Sequence, residues 1–155
     1  MSLQQIKSII EGSIQVKQAL LNDQVLVTEI EKVVDAITNA FKNGNAVYFA
    51  GNGGSAADAQ HLAAEFSGRF YKDRKALPSD ALHCNSSYLT AVANDYSYDV
   101  IYARLLEGLA KPGDVLVGIS TSGNSGNTST NLSSNSPVPL PLIPAIVKYS
   151  PKPKL

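Results

Sequence analysis

His61 and Glu65 stand four positions apart in the run AADAQHLAAEF. On a helix that spacing stacks them on one face, a turn apart. An imidazole beside a carboxylate can hold a metal ion or move a proton, and the same pair can equally be a solvated contact without chemistry. Two turns carry the other candidate groups. In Gly51-Asn52-Gly53-Gly54-Ser55 the glycines let the backbone approach a ligand closely, while Asn52 and Ser55 add hydrogen-bonding side chains. The plainer reading is a glycine-rich connection with Ser55 as a helix N-cap. In Ser120-Thr121-Ser122-Gly123-Asn124-Ser125 four hydroxyls accompany free main-chain N–H groups. Ser120, Thr121, Ser122 and Ser125 can form a neutral cradle for a phosphate monoester, or simply a flexible loop. Asp95, at a break between helical stretches, can accept from sugar hydroxyls or cap a helix.

Two common meanings of a glycine turn do not fit. Ala56 stands where a dinucleotide fingerprint has its third glycine, a tolerated change, but no acidic residue follows at the end of a second strand about 20 residues on. A Gly-Lys-Ser/Thr ending is absent too, which removes a nucleoside-triphosphate loop.

The elements that must position these groups are legible in the pattern. Ala46 to Phe49 is a short apolar run rich in strand formers, and the residues after Ser55 favour helix, giving strand, tight turn, helix. Asp114 to Ile119 repeats the buried-strand pattern directly before the hydroxyl turn. If both strands are parallel in one α/β sheet, both turns leave the same edge, where ligands of such sheets bind. Ahead of them, Ile6, Ile9, Ile10, Ile14 and Val16 mark one amphipathic helix, and Val27 to Phe41 a second that stops at Asn43-Gly44-Asn45. Ala81 to Cys84 is a candidate short strand, followed by a helix capped within Asn85-Ser86-Ser87 and a longer one carrying Val100 to Leu109. His83, alone at a strand end, reads as structural.

Composition narrows the function classes. The 155 residues are 44% hydrophobic, enough for one domain with a real core. Thirteen basic and thirteen acidic residues cancel, and no basic stripe is interleaved with aromatics, so nucleic acid is not an expected ligand. Cys84 is the only cysteine, which fits a reducing, cytoplasmic compartment. The first residues lack an export pattern, and no run approaches the roughly 18 apolar residues of a membrane span. An amphipathic helix outside the α/β core suggests packing on a neighbouring subunit, with an intramolecular lid as the alternative.

Three stretches in order, GNGGSAADAQHLAAEFSGRF, ANDYSYDVIYARLLEGL and GDVLVGISTSGNS, resemble the sugar isomerase (SIS) domain family, and within it the bacterial phosphoheptose isomerases. The resemblance implies a flavodoxin-like α/β fold, a three-layer parallel sheet flanked by helices, with two N-terminal helices added. It implies a homotetramer with active sites between subunits and a phosphorylated sugar as partner. Carried over by position, Glu65 is the proton-transferring carboxylate, and His61 with Glu65 is half of a zinc site found in some members. Ser120, Thr121, Ser122 and Ser125 form the phosphate loop, Asn52, Gly53 and Ser55 lie near the sugar, and Asp95 contacts a hydroxyl. The implied reaction converts sedoheptulose 7-phosphate to D-glycero-D-manno-heptose 7-phosphate through an enediol, the first step toward ADP-heptose and lipopolysaccharide core. The alternative is a non-catalytic SIS relative that binds the bacterial replication initiator. Glu65 argues against it, since that relative lacks the carboxylate in the corresponding helix.

The resemblance covers residues 1–127, expected as a SIS domain with its N-terminal helices, and stops at an atypical Pro/Ser-rich tail, 128–155. Six of the eight prolines fall in that tail, and Pro137, Pro139, Pro141 and Pro144 forbid a regular helix through them. The family would continue with further strands and a helix carrying a Gln and a His. A truncated, inactive form is therefore an expectation beside the isomerase reading, and the abrupt change of composition favours a shifted reading frame for the tail over a disordered segment or a polyproline-like strap through Leu140, Leu142 and Ile143.

Overall fold

The structure is a computed structural model that describes residues 2–128 and the backbone of 142–145. It divides into two compact units, Met1–Ala36 and Ile37–Leu155. In the first, α1 (Leu3–Asn22) opens on a capping box: the Gln5 N–H donates to Ser2 Oγ at 3.3 Å and the Ser2 N–H to Gln5 Oε1 at 2.6 Å. Asp23 interrupts the helix, and its Oδ1 accepts from the Val25 and Leu26 N–H groups at 3.1 and 3.0 Å to start α2 (Gln24–Lys42). No residue of α1 is buried, and Ile6, Ile9, Ile10 and Ile14 all lie exposed.

The second unit is built on a parallel sheet. In chain order its elements are β1 (Val47–Gly51), α3 (Gly54–Ser67), β2 (Ser79–Ala81), α4 (Ser86–Asp95), a 3-10 turn (Tyr98–Val100), α5 (Ile101–Leu109), β3 (Val115–Ile119) and β4 (Leu142–Ala145). The strands lie in the order β2-β1-β3-β4, and every pairing is parallel. β1 and β3 run side by side from Val47↔Val115 to Gly51↔Ile119, so their carboxyl ends are level.

The two-residue period of the strands splits the core into two layers. Val47 and Phe49 of β1 with Val115, Val117 and Ile119 of β3 face one side, against Ala40 of α2 and Ala59 and Ala63 of α3. Phe66 completes that layer, its ring 6.0 Å from Phe49 and 5.1 Å from Phe41. On the other side Ala50 and Leu116 pack with Val92 of α4 and Ile101, Tyr102 and Leu106 of α5. Helices thus cover both faces, giving the three-layer arrangement expected. The start of the sheet is tied by Asp114, which is buried: its Oδ1 accepts from the Ala46 N–H at 2.8 Å and its Oδ2 from the Lys111 N–H at 2.8 Å.

Three local features differ from the sequence expectation. The second strand lies at Ser79–Ala81 rather than Ala81 to Cys84, because the chain turns immediately after Ala81, with the Cys84 N–H donating to the Ala81 carbonyl at 3.2 Å. Ser55 is not an N-cap: the cap lies two residues earlier, at Gly53, whose φ of 55° a side chain would strain. Leu142–Ala145, inside the proline-rich tail, forms a strand on β3. Pro144 lacks an N–H, which a strand end or edge tolerates. Pro137, Pro139, Pro141 and Leu140 lie outside the described residues.

Candidate active site

In the strand order β2-β1-β3 the chain leaves β1 toward one neighbour and returns on the other, so the β1/β3 boundary is a topological switch point, where open α/β sheets bind ligands. The glycine turn follows β1 there and the hydroxyl turn follows β3. Gly51 is needed for the first: a Cβ on it would lie 2.5 Å from the Ser55 carbonyl oxygen, so only glycine lets the first turn of α3 close over the strand end. Main-chain N–H groups left without an acceptor at a helix start favour anions. Gly118 does similar work for the second, where a Cβ would lie 2.7 Å from the Thr128 carbonyl oxygen as the chain folds back over β3.

The hydroxyl turn is ordered by its own side chains. Ser120 Oγ, buried, accepts from the Gly123 N–H at 3.0 Å and lies 3.4 Å from Ser125 Oγ. Ser122 Oγ accepts from the Asn124 N–H at 3.2 Å, and Thr128 donates from both N and Oγ1 to the Ser125 carbonyl, at 2.9 and 3.0 Å. Thr121 and Ser122 are exposed, open to a ligand.

Asn52 joins the two turns. Its Nδ2 donates to Asn127 Oδ1 at 2.8 Å, and its Oδ1 accepts from Asn127 Nδ2 at 3.1 Å. The Tyr98 hydroxyl donates to the same Oδ1 at 3.1 Å, and the Tyr102 hydroxyl to the Gly51 carbonyl at 2.5 Å. Tyr98, Tyr102 and Asn127 were not singled out in the sequence, although two tyrosines four apart on one helical stretch put both hydroxyls on one face. Asp95 closes α4 three residues before Tyr98, and its Oδ1 accepts from Asn94 Nδ2 at 3.0 Å.

His61 and Glu65 are elsewhere in the chain. They lie on the later turns of α3, which from Gly54 to Glu65 extends about 16 Å at 1.5 Å per residue. His61 Nε2 is 3.4 Å from Glu65 Oε1, with the imidazole largely exposed. The pair lines a cavity of about 540 Å³ with Phe66, Phe70, Tyr71 and Arg74. Arg74, read from sequence only as part of a charged loop, donates to the Glu65 and Phe66 carbonyls, both at 2.9 Å, and so caps the carboxyl end of α3. Two ligands of a tetrahedral zinc with bonds near 2.05 Å would stand about 3.3 Å apart, so the His61–Glu65 spacing suits one edge of such a shell. No group of three or more metal-binding side chains exists among the described residues, and two donors do not complete the shell.

A family model described as the SIS domain matches residues 14–133. The chain belongs to the SIS domain family. Among SIS relatives, a phosphoheptose isomerase of Aneurinibacillus thermoaerophilus is 52% identical over 122 residues, 79% of this chain and 62% of that protein. One from Synechocystis sp. is 58% identical over 105 residues, 68% of this chain and 54% of that protein. The fold is similar to a phosphoheptose isomerase structure from Francisella tularensis, with TM-score 0.78, 33% identity, and coverage of 86% of this chain and 70% of that one. A Neisseria gonorrhoeae phosphoheptose isomerase gives TM-score 0.73 and 39% identity, over 82% of this chain and 65% of that one. The SIS chain described here thus spans about 62% of the length of the first of these relatives.

Proposed function

We propose that this SIS chain is a phosphosugar isomerase acting on sedoheptulose 7-phosphate. The observation that carries the proposal is the junction of the glycine turn with the hydroxyl turn at the β1/β3 switch point, joined by Asn52 and Asn127. In this reading Ser120, Thr121, Ser122 and Ser125 bind the phosphate by hydrogen bonds and main-chain N–H groups, without a lysine. Gly53, Ser55 and the start of α3 receive the sugar, with Asn52 between the turns and Asp95 as a hydroxyl acceptor. Glu65 removes the proton from the carbon beside the carbonyl, an enediol forms, and the proton returns to the neighbouring carbon. N–H donors at the glycine turn oppose the charge developing on oxygen.

Glu65 lies about 16 Å along α3 from the glycine turn, and in this reading the site is completed by Glu65 of another copy. A homo-oligomer, tetrameric in this reading, would also give the exposed apolar residues of α1 a surface to pack on. His61 and Glu65 are proposed as two zinc ligands; residues 129–155 contain no His, Cys, Asp or Glu, so the remaining ligands would come from another copy or from solvent, and no reaction step here runs through the metal. The single Cys84 and an absence, among the described residues, of any helix long and apolar enough to cross a membrane support a cytoplasmic site of action, in heptose supply for lipopolysaccharide. The names of the relatives support the isomerase over initiator binding.

An isomerase assay with sedoheptulose 7-phosphate tests the proposal. The full chain turns the sugar over, and Glu65→Gln lowers the rate at least about 100-fold, the ordinary worth of a general base. Equal rates in the two proteins remove Glu65 from the mechanism, and no turnover by either contradicts the isomerase reading of this chain.

A further inference from the structure

Asn127 is 3% exposed, yet it extends a polar side chain across the gap between two turns that are 75 positions apart in sequence. Both halves of its amide are used there, one donating to Asn52 and one accepting from it. Asn52 Oδ1 takes Tyr98 as a second donor, so its acceptor capacity is filled by the protein, leaving one Nδ2 hydrogen for a ligand. Such a reciprocal amide pair is satisfied only at one separation and one mutual orientation, and a buried amide deprived of its partner is destabilised.

We propose that Asn127 is a positioning residue: through Asn52 it fixes the distance between the glycine turn and the hydroxyl turn, so that one phosphorylated sugar reaches both. Tyr98 is the second anchor of the same pair. The inference rests on the phosphosugar reading for its ligand and on hydrogen-bond geometry for the bridge itself.

The bridge has a signature that needs no ligand. Ser55 and Ala56 N–H groups donate back to the Asn52 and Gly53 carbonyls at 3.0 and 3.1 Å, closing the glycine turn. In the full-length Asn127→Ala protein, amide exchange at Ser55 and Ala56 rises about tenfold, although the substitution lies in the other turn; loss of one buried hydrogen-bonded partner is of this order. Calorimetric titration then separates the ligands. The dissociation constant for sedoheptulose 7-phosphate, which must touch both turns, rises about tenfold or more, while that for inorganic phosphate, which needs one, changes less than about threefold. Unchanged exchange at Ser55 and Ala56, or equal weakening of the two ligands, overturns the proposal. If the unsubstituted chain binds neither ligand, the phosphosugar reading fails, and the exchange comparison alone upholds or overturns the bridge. Should Asn127→Ala not fold, Tyr98→Phe, which removes one half-exposed hydroxyl, reads the same quantities with smaller changes in the same direction.

Discussion

Tyr102 connects the second core layer to the glycine turn, and its chemistry is set by where it sits. Burial pushes its hydroxyl up to about 12, Tyr98 beside it adds to the rise, and the bond to the Gly51 carbonyl opposes it. Across ordinary pH the group therefore stays protonated and keeps donating to Gly51. An unfolded chain releases this proton near 10, so between about pH 10 and 12 the folded state holds more protons and stability falls as pH rises. Tyr102→Phe is expected to cost about 2 kcal/mol at pH 7, because the buried Gly51 carbonyl loses its donor. That gap should narrow steadily from pH 10 to 12 in urea unfolding, and a gap independent of pH would rule out this role. His83 shifts the opposite way, since burial pushes its imidazole down against the pull of Asp80, and its Nδ1 has no partner among the described residues. A folded pKa below the unfolded value places its contribution above about pH 6.5, to be lost on acidification. Its structural reading from sequence agrees with that environment.

The elements followed from pattern wherever one face had to be buried. β1 and β3 announce themselves as runs of strand-forming residues, and α3 by its glycine entry. Element ends were less legible, because they depend on contacts made at long range. β2 is three residues long and is placed by the Ser79 hydroxyl donating to the Val47 carbonyl at 2.9 Å, a partner 32 positions away. Arg74 read as solvated charge because nothing local indicates that it turns back to cap α3. β4 was hidden by Pro144, whose missing N–H argues against a helix but not against an edge strand. Of the candidate site, both turns and the His61–Glu65 pair were legible from residue type and spacing, but the Asn52–Asn127 bridge was not, since an amide pair leaves no periodic trace. Asp114 is the sharpest test at this scale. It satisfies two main-chain N–H groups at the start of the sheet, and Asp114→Ala should lower stability by about 2 kcal/mol in urea unfolding, as expected for the loss of charge-assisted bonds from a buried carboxylate to part-buried donors. A change below about 1 kcal/mol would mean that water replaces the carboxylate at little cost.

At the scale of the whole molecule, one chain holds the two turns at one end of α3 and Glu65 toward the other. If sites are completed between copies, two inactive variants are complementary: Glu65→Gln retains the turns, and Ser120→Ala with Thr121→Ala retains the carboxylate. Refolded together they should recover turnover that neither has alone, and continued inactivity of the mixture would argue for a site within one chain. The apolar face of α1 should at the same time hold the protein as an oligomer in light scattering, with Ile10→Asp and Ile14→Asp together shifting it toward monomer. The proposed isomerase function needs the glycine turn and the hydroxyl turn to bind a single sugar phosphate. The most direct measurement is a titration of the full chain with sedoheptulose 7-phosphate, following the backbone amide resonances of residues 53–55 and 120–125. Both groups should shift and saturate with the same dissociation constant; a response confined to one turn, or two unequal constants, would contradict a shared pocket.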